Sequence, residues 1–185
     1  MAYFLFKKKS FLLSAIFLPF LQSPPLILQY YFFMVTSITE RTEIRVRFNE
    51  ADPLGIVWHG HYVRYFEDGR EAFGKTHGCS YLDFYNQGYV VPIVKIDIDY
   101  KKSLRYGDSV IVESTYQPTL AAKIVFHFQL FKAQTGELVA KGSTTQVFLD
   151  LATNTLQLST PDFFEAWKNG IIKEKKAQTQ EQEKQ

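Results

Sequence analysis

The chain has a single cysteine, Cys79, in 185 residues. That excludes an internal disulfide and a cysteine-based zinc site, and it is compatible with a cytoplasmic protein. Cys79 lies in a Gly78-Cys79-Ser80-Tyr81 turn with only His77 near it in sequence, so it reads as a packing thiol rather than a nucleophile. Histidine is scarce too: of four, only His59 and His61 form a close pair, and no third ligand stands at a workable spacing, so no metal is expected. Net charge is nearly absent at +2, which argues against a nucleic-acid binder, and no basic cluster with interleaved aromatics replaces it. There is no internal repeat. Hydrophobic residues at 46% and charged residues at 22% are ordinary for one globular domain with a full core.

Long apolar runs are limited to Phe11–Leu21, which follows Lys7-Lys8-Lys9. The run is broken by Pro19 and is shorter than the roughly twenty residues of a membrane span. No small-x-small cleavage site precedes Ser23-Pro24-Pro25. Met34 is followed at once by a polar, strand-like start, Thr36–Glu40. Residues 1–33 are therefore an N-terminal extension with three open readings: a misassigned start, a secretory signal or membrane anchor, or an ordered N-terminal element. Residues 34–170 form the expected domain. Residues 171–185 are a Lys/Glu/Gln-rich polar tail, expected to fray because it has almost no apolar surface to bury.

Within the domain, Ile44, Val46 and Phe48 alternate with Glu43, Arg45 and Arg47, which predicts a strand over 43–48 with one buried face. From His61 to His77, Tyr62, Tyr65, Phe66, Ala72 and Phe73 recur at helical spacing, and Gly78 is placed to stop the one long helix. Gly69 inside it predicts close approach of another backbone. A Tyr/Asp/Asn-rich turn region follows, then strands over 90–100, 109–116, 122–133 and 138–149, separated by turn-forming links such as Tyr106-Gly107-Asp108. Thr160-Pro161 opens a short helix ending near Trp167. One strand, a long helix and an antiparallel meander make an α+β domain with the helix on one sheet face.

Chemistry concentrates in Asn49-Glu50-Ala51-Asp52-Pro53-Leu54-Gly55-Ile56-Val57-Trp58-His59-Gly60-His61-Tyr62. A loop entering a helix start offers a carboxylate beside unpaired backbone N–H groups, which suits attack on a carbonyl whose oxygen becomes negative.

This run, with Arg47-Phe48 before it and Glu67 and Arg70 after it, resembles the active-site signature of the hotdog-fold acyl-CoA thioesterases, in particular the 4-hydroxybenzoyl-CoA thioesterase and YbgC-like group. Tyr106-Gly107-Asp108-Ser109-Val110 resembles the family's Gly-Asp turn. The resemblance covers about residues 40–150. It implies a hotdog fold, an antiparallel sheet wrapped around one long central helix, and hydrolysis of a thioester to a carboxylic acid and CoA without metal or redox cofactor. It makes Asp52 the catalytic carboxylate, as nucleophile or general base. The His59 N–H becomes the oxyanion donor in a turn shaped by Gly55 and Gly60, and the His59 side chain assists. Glu67 is the backup acid, although an i to i+3 pair with Arg70 is its default structural role. Tyr62 helps to form the acyl pocket, and Lys101, Lys102 and Arg105 are candidates for the CoA phosphates. The implied assembly is a homodimer or homotetramer with its sites at the interface. Departures stand at Asn49-Glu50-Ala51 and Gly60-His61. The alternative in another class is a non-catalytic module that binds acyl-CoA or an acyl-carrier protein.

Overall fold

A computed structural model describes residues 37–182 of the chain. The segment 1–33, for which the sequence leaves three readings open, lies outside the described residues. Strand β1 spans Ile38–Arg45. It starts earlier than the expected 43–48 and stops sooner, because a single 3-10 turn at Phe48–Glu50 takes the chain off the sheet. The Arg47 N–H donates to the Glu50 carboxylate at 2.8 Å and fixes that turn. Phe48 is consequently 79% exposed rather than part of the buried face.

Helix α1, His61–His77, has the predicted bounds, and Gly78 ends it at φ 69, a left-handed conformation that glycine adopts without strain. The following turn region contains a second helix, α2, Tyr81–Asn86. Its reciprocal cap is a sequence signal that the turn-rich composition masked: the Ser80 N–H donates to the Asp83 carboxylate at 2.7 Å, and the Ser80 hydroxyl accepts from the Asp83 N–H at 3.4 Å.

The strands that follow are β2 (Tyr89–Val90), β3 (Ile93–Tyr100), β4 (Ser109–Gln117), β5 (Lys123–Lys132), β6 (Leu138–Val147) and β7 (Leu149–Asp150). The expected run 90–100 divides at Pro92, which has no N–H to donate to a ladder. The antiparallel main sheet has the order β1-β4-β5-β6-β3, and β2 pairs separately with β7. β1 and β3 are therefore its two edges.

The sheet wraps around α1. Phe66 stacks on Phe128 with ring centroids 4.4 Å apart, and Phe73 meets Phe126 edge-on at 4.9 Å. Both helix residues are fully buried, and burial of each such ring contributes on the order of 2 kcal/mol. The close approach at Gly69 comes from side chains rather than a backbone: a Cβ there would run into Ser114 and Val112 of β4.

α1 is not the one long helix of the domain. Helix α3, Asp162–Gln182, begins where Thr160-Pro161 predicted but continues far past Trp167, through most of the polar tail. Lys, Glu, Gln and Ala all have good helix propensity, so propagation needs no apolar face once the first turns are docked. Those turns are docked firmly. Phe164 stacks on Trp167 at 5.0 Å, Trp167 packs on Tyr116 at 5.2 Å, and the Trp167 indole N–H donates to the His77 carbonyl at 2.6 Å. No described helix is long and apolar enough to cross a membrane.

The contact at Gly69 sets a test. Gly69→Ala gains helix propensity but pushes on β4, so the net effect is a loss of about 1–2 kcal/mol of stability. Urea unfolding would show a lower midpoint with an unchanged slope.

Candidate active site

The site is built on a buried carboxylate. Glu50 is 2% exposed, and its Oε2 accepts from the Arg47 N–H and from the Tyr65 hydroxyl, both at 2.8 Å. Arg64 approaches its Oε1 at 3.8 Å. Burying a lone carboxylate costs several kcal/mol, and these three donors offset that cost. Burial, then the hydrogen bond and charge of Glu50, hold the Tyr65 hydroxyl well above the usual phenol range, so Tyr65 remains a donor. The loop is thereby tied to the second turn of α1.

From this anchor the chain makes a tight excursion and returns. Ala51 bridges Val57, the Asp52 N–H donates to the Ile56 carbonyl at 2.8 Å, and the Gly55 N–H donates to the Asp52 carbonyl at 2.9 Å. Gly55 sits at φ 73, where a side chain would be strained. Asp52 Oδ1 accepts from the Leu54 N–H at 2.8 Å, an Asx turn that aims the carboxylate. The return is fixed by the Val57 N–H on the Leu104 carbonyl at 2.8 Å and the Trp58 N–H on the Glu50 carbonyl at 2.9 Å. At Gly60 the Trp58 ring occupies the space a Cβ would need. Among the described residues, the amides of His59 and Gly60 donate to no acceptor. They stand at the start of α1, where free N–H groups and the helix dipole favour an oxyanion.

Asp52, His59 and Tyr62 line a recess of about 260 Å³ together with Tyr100, Lys101 and Lys102 at the end of β3. The Tyr100 hydroxyl donates to the His59 carbonyl at 3.1 Å, and its ring meets Tyr62 edge-on at 5.1 Å. Tyr62 donates to the Lys102 carbonyl at 3.4 Å. Lys101 pairs with Asp99 at 3.2 Å and Lys102 with Glu137 at 2.8 Å; the Glu137 carboxylate raises the Lys102 pKa and keeps it charged.

Two residues singled out in the sequence lie elsewhere in the subunit. Glu67 forms the anticipated ion pair with Arg70, accepts from the Tyr81 hydroxyl at 3.1 Å, and faces a separate open depression of about 500 Å³ beside residues 90–93. It is two helical turns beyond His59, on a different face from the Asp52 recess. The Arg105 side chain is exposed outside the lining of the recess, and the Arg105 backbone N–H donates to the Asp108 carboxylate at 2.9 Å. His61 flanks Trp58 at 5.7 Å, and His127 lies on the sheet near Asp97 and Asp99. Burial pushes the Cys79 thiol up to about 12, which suits a packing thiol. Among the described residues there is no group of three His, Cys, Asp or Glu side chains arranged to hold a metal. The sequence reading missed the structural roles of Glu50 and Tyr65, and it missed Tyr100 as a wall of the recess. The one available signal was a charged residue placed between two apolar strand and loop segments.

Residues 46–169 match the model of the Thioesterase-like superfamily. YneP of Bacillus subtilis is 34% identical over 110 residues, covering 60% of this chain and 79% of that protein. The acyl-CoA thioesterase YbgC of Haemophilus influenzae is 26% identical over 90 residues, 48% of this chain and 66% of YbgC. The crystal structure of the DHNA-CoA thioesterase from Staphylococcus aureus superposes with a TM-score of 0.64 at 29% identity, over 80% of this chain and 95% of that one.

Two measurements check the geometry. Gly60→Ala should expel the half-exposed Trp58 ring, shifting tryptophan emission to the red and lowering turnover about tenfold as the free amides move. Cys79 should resist a disulfide reagent at pH 8 in the folded protein and react at once after denaturation, since burial keeps its pKa near 12.

Proposed function

Because the chain belongs to the Thioesterase-like superfamily, with the hotdog fold of its structural relatives, we propose that it is an acyl-CoA thioesterase whose reacting carboxylate is Asp52. The observation that supports the proposal is one recess lined by both Asp52 and His59, with the unpaired amides of His59 and Gly60 just before a helix start.

The reaction is thioester plus water giving carboxylic acid plus CoA. The acyl carbonyl oxygen lies against the His59 and Gly60 N–H groups and takes up the charge of the tetrahedral intermediate there. Asp52 acts in one of two ways. As a nucleophile it forms an acyl-aspartyl anhydride, expels the CoA thiolate and is released by water. As a general base it takes a proton from water while the water oxygen attacks. In both routes the thiolate leaves and is protonated. The Asx turn engages Asp52 Oδ1, and in this reading Oδ2 performs either task. The His59 ring, beside Trp58 and Tyr100, lies at the mouth, where it orients water or the leaving group. Lys101 and Lys102, with Arg105 just outside, meet the CoA phosphates.

The working unit of this reading is a homodimer formed along β3. That strand leaves one edge unpaired, and Val94 is 58%, Ile96 40% and Tyr100 46% exposed. A two-fold axis through the middle of β3 sets the Tyr100 end of one copy beside the Ile93 end of the other. The Asp52 recess then meets the depression that holds Glu67 of the partner subunit, which completes the acyl site and returns Glu67 to the chemistry. The enzyme so described is a cytoplasmic hydrolase that needs no cofactor.

The test is thiol release from short-chain, long-chain and aromatic acyl-CoAs. Asp52→Asn should lower kcat at least about a hundredfold with little change in KM. Full activity in Asp52→Asn on every substrate that the wild type hydrolyses overturns the assignment. Lys101→Ala combined with Lys102→Ala should instead raise KM, with an effect that fades as salt increases.

A further inference from the structure

Tyr100 ends β3 on the open edge of the sheet, and its hydroxyl reaches across to the helix start, where it donates to the His59 carbonyl at 3.1 Å. The two residues stand 41 positions apart, so nothing in the loop's own sequence makes this contact. Neighbouring rings hold the tyrosine in place. It meets Tyr62 edge-on at 5.1 Å and the His59 imidazole edge-on at 6.4 Å, and Tyr62 is itself buried.

The His59 carbonyl and the Gly60 N–H belong to one peptide group. No described peptide bond is cis, and a trans peptide is planar, so whatever holds the carbonyl also holds the N–H on its far side, pointing out from the helix start. Inside the first turn the same carbonyl accepts from the Tyr62 N–H at 3.3 Å, which is long for an amide bond. The preceding peptide, which carries the His59 N–H, is secured by backbone alone: its Trp58 carbonyl accepts from the His61 N–H at 2.9 Å. The 59–60 peptide thus relies on a side chain from another element. Its need for one follows from the glycine. Turning this plane changes φ of Gly60, and glycine accepts positive φ without penalty, so residue 60 offers no steric resistance. Glycine is nevertheless required there, because the Trp58 ring fills the space of a Cβ. With the Tyr100 hydrogen bond in place, Gly60 stands at φ −63 and ψ −26. A hydrogen bond on the carbonyl also polarises the whole group and makes its N–H a better donor.

We infer that Tyr100 is a positioning residue for the thioester reaction: its hydroxyl fixes the 59–60 peptide so that the Gly60 N–H is presented to the acyl oxygen. The inference rests on the thioesterase reading and on the oxyanion role that this reading gives to the Gly60 amide. Tyr100 transfers no proton and breaks no bond; it acts on the orientation and donor strength of one amide. It also ties the site to the strand edge. Tyr100 is 46% exposed, so water competes for its hydrogen bond in a lone subunit, and the pairing of β3 proposed above covers this end of the strand and strengthens the bond.

The experiment uses Tyr100→Phe, which keeps the ring and its packing and removes one hydroxyl. With an acyl-CoA that the wild type hydrolyses, kcat should fall about tenfold while KM stays within about twofold, because the tetrahedral intermediate needs the amide more than the bound substrate does. The second readout needs no turnover. In protein carrying isotope-labelled glycine, the Gly60 amide resonance, assigned by its loss in Gly60→Ala, should move further in Tyr100→Phe than that of any other glycine. A tyrosine serving only as a wall of the recess would instead raise KM or lower the urea midpoint, with kcat and the Gly60 resonance unchanged, and that result overturns the inference. So does a fall in kcat with the Gly60 resonance unmoved, or a moved resonance with full kcat. If no acyl-CoA is hydrolysed, the thioesterase reading is what fails; the resonance then decides alone, its shift supporting the hold of Tyr100 on the amide and its constancy overturning it.

Discussion

The Glu50 carboxylate, buried between a loop and a helix, is the contact on which the site depends. Two hydrogen bonds and one nearby guanidinium hold it there. These partners come from three places: the end of β1 through the Arg47 amide, and the second turn and flank of α1 through Tyr65 and Arg64. A single charged group therefore sets how the sheet, the loop and the helix start sit relative to one another. Everything between Ala51 and Gly60 hangs from that point, and the excursion is short enough that its own backbone bonds finish the job. Such a buried anchor is demanding rather than intrinsically stabilising, because each partner must be present for the carboxylate to be tolerated.

The second constraint is the helix start. An α-helix leaves its first amides without intrahelical partners, and here no side chain caps them: the N-cap is Gly60, and the Trp58 ring lies in the space a side chain would take. A stability-optimised sequence would place Ser or Asp at that position. A cap there would serve amides inside the helix, and the free amides of His59 and Gly60 lie just before it, beside the proposed site. The unpaired edge of β3 leaves Val94, Ile96 and Tyr100 exposed, and the proposed pairing with a second copy of the chain would remove both the exposed edge and the exposed apolar surface.

Much of this was readable from residue patterns. The bounds of α1 followed from the spacing of Tyr62, Tyr65, Phe66 and Phe73 and from Gly78, because a helix buries one face at a fixed period and a left-handed stop favours glycine. The meander followed from alternation and from Gly-containing turns. The loop stood out as the candidate site because an acid, two glycines and a histidine before a helix are uncommon in a purely structural turn. What stayed hidden depended on distant partners. Phe48 fitted the alternation of β1, but the Glu50 hydrogen bond ends the strand before it. Glu50 and Tyr65 are fifteen positions apart, and no local pattern announces that pair. Glu67 was grouped with Asp52 by likeness, whereas within one subunit it turns to Arg70 and Tyr81. The reach of α3 was missed because its outer turns are polar throughout, and only docking of Phe164 and Trp167 nucleates them.

The most direct test of the anchor as the organising contact is hydrogen–deuterium exchange of residues 51–60 in the wild type and in Tyr65→Phe, with thioester turnover measured on the same samples. The account predicts that removing one hydroxyl raises amide exchange in this loop by about an order of magnitude, with a parallel fall in turnover and little change in the central strands β4 and β5. Unchanged loop protection with full turnover in Tyr65→Phe would contradict it.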